Sequence, residues 1–72
     1  MTNKQFAASR RALRVSQARI ARRAGISQSR ITEFELGYRP LSPDKVSRLE
    51  DALRAEVAQM EKDAARLLGT TK

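Results

Sequence analysis

The chain of 72 residues contains no cysteine, no histidine and no tryptophan. Disulfide bonds are therefore excluded, and a zinc site would lack its usual nitrogen and sulfur ligands. The absence of histidine removes the commonest general base, the absence of cysteine removes one common nucleophile, and no glycine-rich phosphate-binding loop is present. We expect no enzymatic activity, no catalytic residue, no metal site and no cofactor.

Long apolar runs are also missing, and the N-terminal stretch MTNKQFAASRR is polar. A membrane-spanning helix needs about 20 consecutive apolar residues, and a secretory signal needs a shorter apolar segment of its own. We therefore expect a cytoplasmic protein with no membrane contact. A core of this size supplies only a few kcal/mol of net stability, so a second subunit is the most economical additional support.

The few β-branched and aromatic residues never alternate over a useful length, which argues against strands. Helical spacing instead predicts an all-α protein with helices over residues 3–13, 17–24, 28–36 and 43–68. Ser16, Ser27 and Ser42 stand where helix N-caps are expected, and Pro43 suits a first helical position. The first predicted helix places Phe6, Ala7, Arg10 and Leu13 at helical spacing.

Charge is distributed unevenly along the chain. Residues 1–41 carry nine basic and two acidic side chains, whereas residues 42–72 carry six of each, so the whole net charge of +7 lies in the N-terminal part. Such asymmetry is typical of a polyanion-binding region joined to a neutral region with another task. Charge alone leaves open a surface whose arginines serve only solubility.

The segment of residues 17–34 has the spacing of two short helices that cross steeply. Such a pair needs a small residue where the backbones approach, a left-handed residue at the turn, and apolar side chains pointing into the core. Ala21 and Gly25 meet the first two requirements. The apolar positions are Ile20, Ala24, Ile26, Ile31 and Phe34.

The stretch SQARIARRAGISQSRITEFELG, with Ala21, Gly25 and Ile31 at the constrained positions, resembles the Cro/repressor-type (XRE-like) helix-turn-helix regulators of phages and bacteria. The resemblance covers roughly residues 6–53. It implies a compact helix-turn-helix fold, binding to double-stranded DNA, and an origin in a phage or mobile element. It also implies a buried, structural ion pair between Arg10 and Glu35.

In a helix-turn-helix the second helix lies in the major groove, with its N-terminal turn nearest the bases. With Ile31 and Phe34 turned inward, Gln28, Ser29 and Thr32 are the expected base-reading residues, together with Glu33. Glu33 has three possible roles: acceptance from cytosine, repulsion of the DNA backbone, or orientation of Arg30. Phosphate contacts are expected from Gln17, Arg14, Arg19, Arg30, Tyr38, Arg39 and Lys45.

The C-terminal part departs from the family, because strong helix formers continue where a turn is usual. An apolar stripe begins at Val46 and Leu49 and runs some six turns, beyond the reach of a small core. We predict that it pairs with a second copy; the alternative is a bend within residues 54–58 that folds the helix back. The predicted dimer contacts are Leu53, Val57, Met60, Ala64, Leu67 and Leu68.

These patterns predict one structural domain. Residues 1–41 form the DNA-binding region, and residues 42–72 form a long helix that completes the core and mediates dimerisation. We expect a homodimeric transcriptional repressor that binds an inverted-repeat operator and is nucleoid-associated when bound, without a small-molecule ligand. The competing hypothesis is a protein-interaction module, such as an antitoxin or anti-activator, whose last helix captures a different protein.

Overall fold

The computed structural model describes residues 1–69, which form four α-helices and no strand. The helices are α1 (Asn3–Ala12), α2 (Gln17–Ala24), α3 (Gln28–Glu35) and α4 (Pro43–Gly69). The all-α prediction is confirmed. The first and third helices end one residue earlier than predicted, and the fourth includes Gly69. Residues 70–72, which the sequence analysis assigned to the C-terminal region, lie outside the described residues.

Each helix begins at a side chain that satisfies a free backbone N–H. Thr2 and Gln5 form a reciprocal capping box at the start of α1. Ser16, Ser27 and Ser42 each accept a hydrogen bond from the backbone N–H three residues on, at 3.1, 3.3 and 3.3 Å respectively. The first N–H groups of a helix have no partner inside it, so these caps explain why the helices start where they do.

Left-handed backbone conformations follow the first three helices. Gly25 ends α2 at φ 70°, and Gly37 follows α3 at φ 80°. A Cβ atom at Gly25 would meet the Arg48 side chain at an ordinary 3.6 Å, so the backbone angle, rather than space, favours glycine there. After α1 the same task falls to Arg14, at φ 60°, a conformation that is unfavourable for a residue with a side chain.

The core lies where α2 packs against both α3 and α4, with α1 packed on α3. Phe6, Ile20, Ile31 and Leu49 are completely buried, and the rings of Phe6 and Phe34 meet at 6.2 Å between centroids. One buried cluster contains Phe6, Val15, Ile20, Ala24, Ile26, Ile31, Phe34, Leu41, Leu49, Ala52 and Leu53. This packing fixes the angle between α2 and α3 and turns the other face of α3 outward.

Helix α4 is a single uninterrupted element of 27 residues, about 40 Å long, in a molecule of 49 × 20 × 18 Å. The alternative of a helix that folds back within residues 54–58 is therefore wrong. Its first half covers the core, and its second half projects beyond it.

One predicted dimer contact needs correction. Leu53, predicted to contact a second copy, is only 5% exposed and belongs to the core of its own protomer. Leu13, which has the helical spacing of Phe6 and Arg10, follows the last residue of α1 and is 36% exposed.

Candidate nucleic-acid interface

The first turn of α3 presents two free polar side chains. Ile31 and Phe34 are drawn into the core, which leaves Gln28 and Ser29 on the exposed face of the helix. Neither side chain forms a hydrogen bond within the described residues, whereas Ser27 beside them is occupied as the cap. Both side chains carry donors and acceptors suited to the edges of base pairs.

Thr32, one turn further along α3, is already engaged. Its hydroxyl donates to the side-chain carbonyl of Gln17 at 2.8 Å and also lies 3.1 Å from the carbonyl oxygen of Gln28. A base contact by this hydroxyl would therefore compete with internal hydrogen bonds. The methyl group of Thr32 has no such competition.

Gln17, predicted to contact phosphate, uses both ends of its side chain inside the protein. Its amide nitrogen donates to Glu35 at 3.0 Å, and its carbonyl oxygen accepts from Thr32. A phosphate contact at this residue therefore falls to the backbone N–H at the start of α2, a position where helices favour anions. Gln17 thus connects the start of α2 to the middle and the C-terminal end of α3.

The ion pair between Arg10 and Glu35 ties α1 to α3. The guanidinium donates to the carboxylate at 2.6 and 2.7 Å in a two-point contact, and a third bond of 2.9 Å reaches the carbonyl oxygen of Val15. Arg10 is 9% exposed and Glu35 is 7% exposed. Burial of the carboxylate raises the pKa of Glu35, but hydrogen bonds from Arg10 and Gln17, with the positive charge of Arg10, outweigh it and leave the pKa below its ordinary value.

Glu33 lies between two arginines on the outer side of α3. Its Oε1 atom is 3.7 Å from Nε of Arg30 and 3.6 Å from Nη1 of Arg39. These distances are too long for hydrogen bonds, and the Glu33 oxygen and the Arg30 nitrogen are covered atoms without a hydrogen-bond partner. The structure thus brings together one predicted base reader and two predicted phosphate-binding residues.

The loop after α3 is fixed to that helix through its backbone. The N–H groups of Tyr38 and Arg39 both donate to the carbonyl oxygen of Glu33, at 2.8 and 3.4 Å. The two side chains are exposed, as expected of residues that contact a ligand. Arg14 is also exposed, in the loop before α2, while Lys45 is half-buried in the first turn of α4.

Arg19 is occupied by an acidic partner that the sequence analysis missed. Glu56 of α4 accepts from Nε of Arg19 at 3.1 Å and from Nε of Arg23 at 2.8 Å, and it is itself only 5% exposed. The hydrogen bond from Arg23 lowers the pKa of Glu56; burial opposes this, and the charge of Arg19 adds to it, so that the net shift is downward. Arg19 therefore joins α2 to α4, and a phosphate contact would have to share it with Glu56.

The predicted dimer contacts differ in exposure, because the core ends part-way along α4. Val57 is half-buried, whereas Met60, Ala64, Leu67 and Leu68 are exposed, Met60 by 37% and Leu68 by 78%. Among the described residues, no helix is long and apolar enough to cross a membrane, and no cluster of acidic side chains is arranged to hold a metal ion.

A family model described as helix-turn-helix matches residues 6–60 of the chain. The chain belongs to this family, in its Cro/repressor (XRE-like) branch. The match includes the whole α2 to α3 hairpin and the first half of α4, and it ends at Met60, three residues into the exposed half of α4. Searches of the curated proteins and of the solved structures return no match.

Membership of this helix-turn-helix family makes the chain a DNA-binding transcriptional regulator. The family is one of regulators rather than enzymes. In the helix-turn-helix arrangement α3 is the recognition helix and α2 crosses the DNA backbone. Gln28 and Ser29 lie in the first turn of α3.

Proposed function

We propose that the protein is a repressor that binds an inverted-repeat operator as a homodimer, with α3 of each protomer in the major groove. The observation that carries this proposal is the exposed first turn of α3, where Gln28 and Ser29 have no internal partner. Gln28 suits a two-point contact with adenine, and Ser29 can donate or accept. Thr32 adds its methyl group, which suits contact with thymine.

Phosphate contacts from both sides of α3 would set its register on the DNA. Arg39 and Tyr38 are exposed on a loop whose backbone is fixed to α3, which favours them over side chains on a freely moving segment. Arg30 and Arg14 are further candidates. Each phosphate neutralised by these residues releases counterions, so affinity for any duplex should fall steeply as salt is raised.

Homodimerisation is favoured by the exposed half of α4. Met60, Leu67 and Leu68 are large apolar side chains exposed to water in the protomer, and pairing with a second copy would remove them from it. A two-fold dimer places two recognition helices about one DNA turn apart, which requires an operator with dyad symmetry. Occupancy of such a site over a promoter is sufficient for repression.

The same exposed side chains favour a second candidate function, in which distal α4 captures a different protein, as an antitoxin or anti-activator does. Leu68 and Met60 are suited to either partner. The two functions differ in what they predict for DNA, since an interaction module has no need of a preferred operator.

Selection of bound sequences from a random duplex pool, at one fixed salt concentration, tests the proposal. We expect enrichment of a sequence with dyad symmetry. Gln28→Ala and Ser29→Ala should each change the preferred base at one position in both half-sites, while Gln59→Ala, on exposed α4, should leave the preference unchanged. Failure to enrich any sequence would favour the interaction module. A reporter with the selected site across its promoter then distinguishes repression from activation.

A further inference from the structure

We propose that Glu33 reads no base and instead acts as an internal counter-ion, which holds Arg30 and Arg39 in the free protein and gives them up to DNA phosphate. Glu33 is thus a positioning residue that works through the two arginines. This inference rests on the proposed placement of α3 in the major groove. Glu33 and Glu35 are the two acidic side chains of α3, and the proposal gives them different roles.

Glu33, Arg30 and Arg39 form one cluster on the outer side of α3. Both arginines approach the same carboxylate oxygen of Glu33, from within α3 in the case of Arg30 and from the following loop in the case of Arg39. That oxygen is covered and has no hydrogen bond. A covered oxygen that faces two cations is poorly placed to accept a hydrogen bond from the amino group of cytosine.

Glu56 forms another cluster of one glutamate and two arginines, and its contacts differ from those of Glu33. Glu56 binds Arg19 and Arg23 through hydrogen bonds of 3.1 and 2.8 Å, and its side chain is almost completely buried. The contacts of Glu33 are 3.6 and 3.7 Å, without hydrogen bonds, and its side chain is 36% exposed. The arginines of α2 are therefore held firmly, whereas Arg30 and Arg39 are held only by charge.

DNA phosphate is a better partner for these arginines than Glu33 is in the free protein. A phosphate group can accept close, charge-assisted hydrogen bonds from a guanidinium, which Glu33 does not form here. When Arg30 and Arg39 leave Glu33 for phosphate, a long contact with a carboxylate is therefore replaced by a short hydrogen bond to a phosphate oxygen. Until DNA arrives, Glu33 keeps two neighbouring arginines near α3 and moderates their attraction to unrelated polyanions.

The test compares Glu33→Gln with Glu61→Gln, an equal change of charge on exposed distal α4. Binding is measured to the selected operator and to an unrelated duplex, with thermal unfolding as a check on the fold. We expect Glu33→Gln to tighten both complexes by about fivefold, a size typical of exposed ion pairs, and to leave the preferred sequence unchanged. Glu61→Gln should have a smaller effect, because charges beyond about 10 Å are screened.

A second background separates the counter-ion role from simple repulsion of DNA by Glu33. In a protein that carries Arg30→Gln and Arg39→Gln, the gain from Glu33→Gln should fall to the level of Glu61→Gln. A gain that persists there would mean direct repulsion and would overturn the proposal. A changed base preference in Glu33→Gln, weaker binding, or no change in affinity would overturn it as well.

Failure of the proposed function gives a different result. If the wild-type protein selects no sequence, the base-reading role of α3 is wrong. A fivefold gain for the unrelated duplex that depends on Arg30 and Arg39 would still support the counter-ion role in that case.

Discussion

The two halves of α4 have opposite surroundings. Up to Val57 the helix contributes Leu49, Ala52 and Leu53 to the core, and its buried Glu56 is paired with two arginines. From Ala58 to Gly69 every residue is exposed except Asp63, which is half-buried. The protomer thus folds around the first half, while the second half carries apolar side chains that its own chain does not cover. A helix of uniform appearance in sequence therefore lies in two different environments.

Among the substitutions considered, we expect the largest loss of stability from breaking the ion pair between Arg10 and Glu35. Glu35→Ala removes the carboxylate and leaves the buried Arg10 charge uncompensated, so we expect a loss of about 3–5 kcal/mol in the free energy of unfolding. Urea denaturation at pH 7 measures it.

The control for this prediction replaces both partners by apolar residues. Arg10→Met combined with Glu35→Leu leaves no unpaired charge, so much of the lost stability should return. If Glu35→Ala costs less than 1 kcal/mol, the pair is not what joins α1 to α3.

The second half of α4, residues 58–69, should be dispensable for the fold and necessary for pairing. Met60→Lys combined with Leu68→Lys should convert a dimer into a monomer that keeps its helical circular dichroism spectrum. Because one half-site then binds without its neighbour, affinity for the complete operator should fall on the order of 100-fold. Sedimentation equilibrium and binding titration measure the two effects.

Gln59→Lys provides the matched control, since it adds positive charge to exposed distal α4 without removing an apolar side chain. It should remain dimeric. A wild-type protein that is monomeric at micromolar concentration would contradict the pairing outright.

Acid should destabilise the fold through its two buried glutamates, Glu35 and Glu56. The pKa values of Glu35 and Glu56 are lowered in the folded protein, so the unfolded chain binds protons at higher pH than the folded one does. Their contribution is fully present above about pH 4.5 and is lost as the pH falls through the lower folded pKa values. Urea midpoints between pH 7 and pH 3 should therefore decrease.

A variant with Glu35→Gln and Glu56→Gln should show a flatter pH dependence over the same range, although it is less stable at pH 7. The reverse, a stability that rises on acidification, would mean that burial dominates both pKa values.

The smallest expected effect concerns the strained turn after α1. Arg14 adopts φ 60°, so Arg14→Gly should increase the free energy of unfolding by about 1 kcal/mol. Arg14→Lys keeps the strain and should give no gain. If Arg14→Gly also weakens DNA binding while it stabilises the fold, the arginine serves as a phosphate contact at a cost in stability.

Short-range signals explain how much of the fold could be predicted. Ser16, Ser27 and Ser42 mark helix starts because a cap and the N–H that it satisfies are three residues apart, and Gly25 and Gly37 mark turns because their backbone angles exclude most residues. Each of these signals lies within a few residues of the helix end that it marks, so it can be read from local sequence. The predicted helices therefore agree with the structure to within one residue.

Long-range contacts explain what could not be predicted. Glu56 interrupts an apolar stripe and looks like an exposed acid, because its partners lie 33 and 37 residues away on α2. The spacing of the stripe likewise contains no sign of where the core ends, so Leu53 was assigned to the wrong side of that boundary. The contact of Glu33 with Arg39 depends on how the loop returns to α3, which local spacing does not specify.

The proposed function depends on base reading by the first turn of α3. The most direct test is the ratio of affinities for the selected operator and for a scrambled duplex, measured at one salt concentration. Gln28→Ala should lower this ratio about tenfold, as expected for loss of one two-point base contact, while Arg39→Gln should weaken both complexes equally and leave the ratio unchanged. A ratio that Gln28→Ala does not change would contradict the account.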